Sequence, residues 1–343
     1  MTELLKKLIS IESISGNEGN LINFISSYLK DKSINSIKIG NNLAVAFGSG
    51  KNTLMIAAHV DTVPVVEGWS HDPFRPIEQN GKIFGLGAAD NKAAVASLIS
   101  VISELSGSRI KGKLIFVLTS EEESTLKGIE QVLSYFGENI DSAIIAEPTL
   151  LKPCIAQKGL VKIKLTTKGK SAHAAFPELG ENAIIDAARD IQKINLIKFP
   201  KNHSLLGIPK ISVTEIKSGI KHNIIPDKCE SILDIRSTPI YGNDHIIKLI
   251  KKIAKSQVEV LSNRLKPVET DKSSEIVKIA ELASDSASQG FPAVSEMCFF
   301  NCPAVVIGPG NLEVAHKPDE FVEISQYEKS KKIYAEIIRR FLK

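Results

Sequence analysis

"TLMIAAHVDTVP", residues 53 to 64, changes character half-way along. Residues 53–58 form a short apolar run of the kind that crosses the middle of a parallel sheet, where both faces are covered. His59 and Asp61 then follow at its carboxyl end, which is where open α/β sheets collect their ligands. Residues two apart in an extended chain face the same side. The Asp61 carboxylate is therefore expected to hold one ring nitrogen of His59 and leave the other to meet a metal.

Runs of the same kind recur at "NLAVAF" (42–47), "KLIFVLT" (113–119), "SAIIAE" (142–147) and "PAVVIG" (303–308). Between them the 3.6-residue period predicts helices at 2–10, 18–30, 90–105, 125–136, 273–284 and 326–342. Strand and helix in alternation predict an α/β class with a layered domain built on a mostly parallel sheet. Between residues 160 and 266 the pattern changes. "LVKIKLTTKG", "KISVTEIKSG", "KCESILDIRS" and "QVEVL" alternate in polarity, with helices expected near 181–194 and 243–255. That describes a small α+β layer with one solvated sheet face. The expected organisation is a discontinuous first domain, 1–159 and 267–343, interrupted by an inserted α+β domain at 160–266.

Composition narrows the function classes. The 343 residues are 43% hydrophobic and 24% charged, enough for a large core divided between two domains. The net charge of +4 comes from 43 basic and 39 acidic residues spread along the chain, without the clustered patch that nucleic-acid binding requires. No apolar run approaches the roughly 18 residues of a membrane span, so neither nucleic acid nor membrane is an expected partner. The first residues read as an amphipathic helix, and the cytoplasm is the expected location. Cys154, Cys229, Cys298 and Cys302 lack metal or disulfide spacing and are expected to be reduced thiols.

The polar residues at the strand ends remain. His59 and Asp61 follow the second strand, Glu121, Glu122 and Glu123 the third, Glu147 ends the fourth, and His316 lies beyond the fifth. Asp90 precedes a helix. Singly, each has an ordinary reading: Asp90 as a helix N-cap, the three glutamates as an acidic first helical turn, the histidines as hydrogen-bonded or surface residues. Together they form a mixed imidazole and carboxylate set suited to zinc, cobalt or manganese. Asp90, central and with two oxygens, is the candidate to bridge two cations.

These residues resemble the family of acetylornithine deacetylase, succinyl-diaminopimelate desuccinylase and their carboxypeptidase and aminoacylase relatives. "HVDTVP", "GLGAADNK", "TSEEES", "AEPT", "GKSAHAAFPELGENAI", "NIIPDKCESILDIR" and "GPGNLEVAHKPDEFV" are similar to that family's signatures, in order and over nearly the whole chain. Glu296 stands where desuccinylases carry a Thr-Ser-Asp motif, which favours the acetylornithine deacetylase branch, whereas "DNKAA" departs from the more usual Asp-Met-Lys-Gly. The resemblance implies two zinc ions, one on His59, Asp90 and Glu147 and the other on Asp90, Glu123 and His316, with Glu122 as general base. It implies a lid and dimerisation role for the insert. His173 would reach the oxyanion from the partner subunit of a homodimer, and Asn223 and Arg236 would contact the substrate carboxylate.

The expected activity is removal of an acyl group from a small N-acyl amino acid. The acyl group stays open, since relatives of similar size act on lysine or ornithine joined to a carrier protein. A dipeptidase or carboxypeptidase with the same metal centre is the alternative enzyme, and a binding protein that kept only the fold is the non-enzymatic one.

Overall fold

The computed structural model describes residues 2–107, 110–137 and 139–343. The chain divides into two compact units: Met1–Ile155 with Thr270–Gln289 and Ser295–Lys343, and Ala156–Glu269 with Gly290–Val294. The second unit thus takes in Gly290–Val294, which the sequence reading assigned to the first domain. Gly290 runs so close to the Leu205 carbonyl that a Cβ there would sit 2.4 Å from its oxygen. Only glycine permits that approach, and apolar patterning does not report it.

In the first unit Thr53–His59 is the central strand, and all seven of its residues are buried. It runs parallel to Lys113–Thr119 on one side and to Ser142–Ile145 on the other. Ala304–Val306 continues the parallel run beyond Ser142–Ile145, and on the far side Asn42–Phe47 runs antiparallel to Lys113–Thr119, with Ile37–Ile39 beyond it. Two covered faces explain why these strands are apolar without alternation. Ala93–Leu105 is apolar nearly all round, as a helix must be when protein covers it on every side. It packs against Ile324–Phe341, where the Ser97 and Ser330 hydroxyls meet at 2.6 Å in the buried seam.

Two local expectations change. The helix predicted from residue 90 begins at Ala93. Asp90 is not its N-cap: it lies in the irregular turn Ala88–Lys92 with extended dihedrals, φ −128° and ψ 86°, and a cis peptide bond to Asn91. The helix expected at 125–136 begins at Lys127, so the glutamates at 121–123 lie in the loop before it. In both places a loop with a site to build interrupts the helical period.

The second unit holds a four-stranded antiparallel sheet in the order Lys210–Ser218, Lys228–Ser237, Gly159–Lys168, Gln257–Leu265. Ala183–Asn195 and Asn243–Ile253 cover one face, sealing Val161, Ile163, Leu165, Leu233, Ile235, Ile246 and Ile250. Alternate residues turn the other way, such as Lys164 and Glu230, which pair at 2.7 Å. This is the period-two pattern of a sheet covered on one side.

Ile56, at the centre of the buried strand, tests the packing argument. Ile56→Ala should cost about 2–5 kcal/mol in urea unfolding, because a closed two-faced layer cannot collapse around the lost volume.

Candidate metal centre

The carboxyl ends of the parallel strands form one rim in the first unit. His59 ends its strand beside Thr119, and Glu147 lies two residues beyond Ile145. His59 is buried and its two ring nitrogens have distinct neighbours. Nδ1 lies 3.0 Å from the Asp61 main-chain oxygen, and Nε2 lies 2.9 Å from Asp90 Oδ1 and 3.8 Å from Glu147 Oε1. A carbonyl only accepts, so Nδ1 carries a proton, and Nε2 is the nitrogen that faces the carboxylates.

Asp61 therefore orients His59 through its backbone, and its carboxylate, 3.6 Å from Nδ1, does something else. It accepts the Ser15 hydroxyl at 2.5 Å and the main-chain N–H groups of Glu122 and Glu123, each at 3.0 Å. The expected carboxylate–imidazole hydrogen bond gives way because two backbone donors from the glutamate turn hold the carboxylate more directly.

Asp90 offers Oδ1 to His59 and Oδ2 to His316, whose Nε2 lies 3.6 Å away. His316 Nε2 also meets Glu123 Oε1 at 2.7 Å. One carboxylate thus faces two imidazoles, one buried and one exposed, each with a second carboxylate beside it. Donor atoms of His59, Asp90 and Glu123 lie within 4.8 Å of one another.

The three adjacent glutamates separate by their bonds. Glu121 is spent on the turn: its backbone sits at φ +58°, its oxygen Oε2 accepts from the Thr125 hydroxyl at 2.6 Å, and its N–H donates to Glu18. Glu123 points to His316. Glu122 keeps partial solvent access and has the rim carboxylates around it.

Electrostatics gives the rim a strong preference for cations. Burial pushes Glu122 and Glu147 well above the usual carboxylate range; His59 opposes this in both, while neighbouring carboxylates add to it. Burial also raises Glu123, with Asp90 adding to it. Contact with Glu123 pushes His316 up to about 9. Burial would lower His59, yet the Asp61 and Asp90 carboxylates beside it hold it well above the usual imidazole value. Without a metal this cluster neutralises itself by retaining protons. A donor set of imidazoles and carboxylates with that surplus of negative charge fits divalent cations.

Four residues that the sequence reading did not assign to the rim also bear on it. Ser15 and Glu18 brace Asp61 and Glu121 from the N-terminal turn "SISGNEG". Glu320 is buried and accepts N–H groups around Asp90. Lys92 is fully buried, donates to the Ile11 oxygen at 2.9 Å, and is lowered by burial to about 7. Small polar residues before the first long helix were a signal for Ser15 and Glu18; nothing in the sequence marks Lys92 as buried. Glu296, read only as a branch marker, is buried with neither carboxyl oxygen partnered, and burial raises it to about 7.

His173, Asn223 and Arg236 all lie in the second unit. His173 and Asn223 come together: the Ala174 N–H donates to the Asn223 main-chain oxygen at 3.0 Å, and His173 pairs with Ile224 across an isolated bridge. The His173 ring is exposed, with Nδ1 accepting the Ala175 N–H. Arg236 is separate on its strand, its Nε and Nη2 donating to the two Asp234 carboxylate oxygens at 2.8 and 3.3 Å.

Comparison with known proteins identifies the family. The profile of Peptidase family M20/M25/M40 matches residues 55–340. The chain belongs to this family. It is 29% identical to the acetylornithine deacetylase of Proteus mirabilis, over 99% of this chain and 96% of that one. It is 31% identical to the acetylornithine deacetylase of Pasteurella multocida, over 88% and 83%. It is accordingly a hydrolase acting on linear amide C–N bonds. The fold is shared with aminopeptidase PepT of Bacillus cereus, at TM-score 0.82 and 19% identity over 99% of this chain and 97% of that one. It is also shared with Bacillus subtilis YXEP, described as a dinuclear metal binding peptidase, at TM-score 0.75 and 16% identity over 99% and 96%.

Metal removal tests the rim. Zinc or cobalt at 100 times its dissociation constant should stabilise the protein by about 2.7 kcal/mol in thermal or urea unfolding, and a chelator should reverse it. The gain should shrink as pH falls, because protons compete for the same imidazoles and carboxylates.

Proposed function

We propose that the chain removes the acyl group from small N-acyl amino acids, with N-acetylornithine as the leading substrate, and that it does so with two zinc ions. One observation carries this reading: the two oxygens of Asp90 face two histidines, each flanked by a further carboxylate. His59, Asp90 and Glu147 would hold one ion, and Asp90, Glu123 and His316 the other. When bound, the ions would supply Lewis acidity, polarising the scissile carbonyl and lowering the pKa of water towards neutrality.

The proton transfers fall to Glu122. Its carboxylate takes a proton from the attacking water and returns it to the leaving amine, so one residue serves as base and then acid. Asp61 holds the Glu122 and Glu123 N–H groups on its two oxygens, which fixes the base relative to a metal ligand. Asn223 and Arg236 would bind the substrate carboxylate, Arg236 with its fork oriented by Asp234. His173, exposed in the second unit, would stabilise the oxyanion in the partner site of a homodimer.

The decisive experiment offers the zinc- or cobalt-loaded protein N-acetylornithine, N-acetyl-lysine, N-succinyl-diaminopimelate and dipeptides. Fastest turnover of an N-acyl amino acid is expected; preference for dipeptides would replace this reading with a peptidase. Glu122→Gln should keep both metals and lose about 10²–10⁴-fold in kcat, whereas Glu123→Gln should weaken metal binding. Arg236→Lys should raise KM for free acyl amino acids, because an ammonium cannot reproduce the planar fork. Mixed dimers of His173→Ala and Glu122→Gln subunits should regain activity if His173 acts across the interface.

A further inference from the structure

Glu320 is buried with 1% of its surface exposed, in the loop that begins at His316. Its delivery is set by strand pairing. Phe321–Glu323 runs antiparallel to Lys82–Phe84, with Phe321 opposite Phe84, so the next residue outward on one strand meets the next on the other. The Glu320 main-chain oxygen accordingly accepts the Gly85 N–H at 3.0 Å.

The side chain then continues the ladder where the backbone leaves it. Oε2 accepts the Gly87 N–H at 3.2 Å, and Oε1 accepts the N–H groups of Ala89 and Asp90 at 2.8 and 3.0 Å. Gly87 turns at φ +79°, and a Cβ there would strike Thr62 at 2.7 Å, so the turn is tightly wrapped. Three buried donors on one carboxylate satisfy backbone groups of a turn that is neither helix nor strand. One of them belongs to Asp90 itself.

We propose that Glu320 is a positioning residue for the bridging carboxylate, fixing Asp90 relative to His316 so that both metal sites form at once. The inference rests on the reading of Asp90 and His316 as ligands, and adds that one five-residue segment, 316–320, supplies a ligand and the clamp on the bridge. The clamp works through hydrogen-bond acceptance: a carboxylate accepting from three N–H groups fixes a backbone that its own dihedrals would leave free.

The test reads metal affinity without substrate, by competition of zinc or cobalt against a chromophoric chelator, beside urea unfolding of the metal-free protein. Glu320→Ala should weaken metal binding by about 10–100-fold, the usual effect of losing a residue that orients a ligand. Glu320→Gln keeps one carbonyl oxygen for the Ala89 and Asp90 N–H groups and should recover most of that loss. If alanine prevents folding, Glu320→Asp replaces it, since its shorter side chain cannot span the same donors. Folded Glu320→Ala or Glu320→Asp with wild-type affinity would overturn the role, as would equal losses in Gln and Ala. Mere destabilisation would move the urea midpoint and leave the affinity of the folded protein unchanged. Wild-type protein that takes up no divalent ion would sink the metal reading, and this role with it.

Discussion

Repulsion among buried carboxylates is the constraint on which the rim depends. Asp90, Glu123 and Glu147 stand within a few ångströms of His59 or His316, with Glu122 beside them, at a largely buried rim where water screens their charges poorly. A protein that crowds acids in this way must neutralise them with protons or with cations. The two imidazoles cannot do so alone, since each is flanked by two carboxylates.

The rest of the rim serves to hold that crowding in place. The parallel strands fix the origins of His59, Glu123 and Glu147 to the spacing of neighbouring strands, so these side chains converge without long, mobile reach. Backbone donors do the finer work. Asp61 holds the turn of Glu122 and Glu123, Glu18 holds Glu121, and Glu320 holds the turn of Asp90. Each of these acids spends its charge on N–H groups and leaves the imidazoles and carboxylates of the rim to face one another. The same division of labour separates Glu121, tied to Thr125, from Glu122, which keeps solvent access.

The identity of the buried strands, a mostly parallel sheet and the placing of His59, Asp90, Glu147 and His316 on one rim could be read from the chain before any coordinates. The reason is physical. A strand covered on both faces must be apolar throughout, so a histidine at its end stands out, and metal-binding side chains come from few residue types. Tertiary structure decided what backbone geometry and burial control. It moved the start of the Ala93–Leu105 helix past Asp90 and began the next helix at Lys127, beyond the three glutamates. It gave the orientation of His59 to a carbonyl rather than to the Asp61 carboxylate, and tied Arg236 to Asp234. It also buried Lys92, Glu296 and Glu320, charged residues whose one-dimensional pattern reads as surface. Such burial is settled by which distant segment packs over a residue, as when strand pairing carries Glu320 to the turn of Asp90, and local sequence carries no trace of that partner.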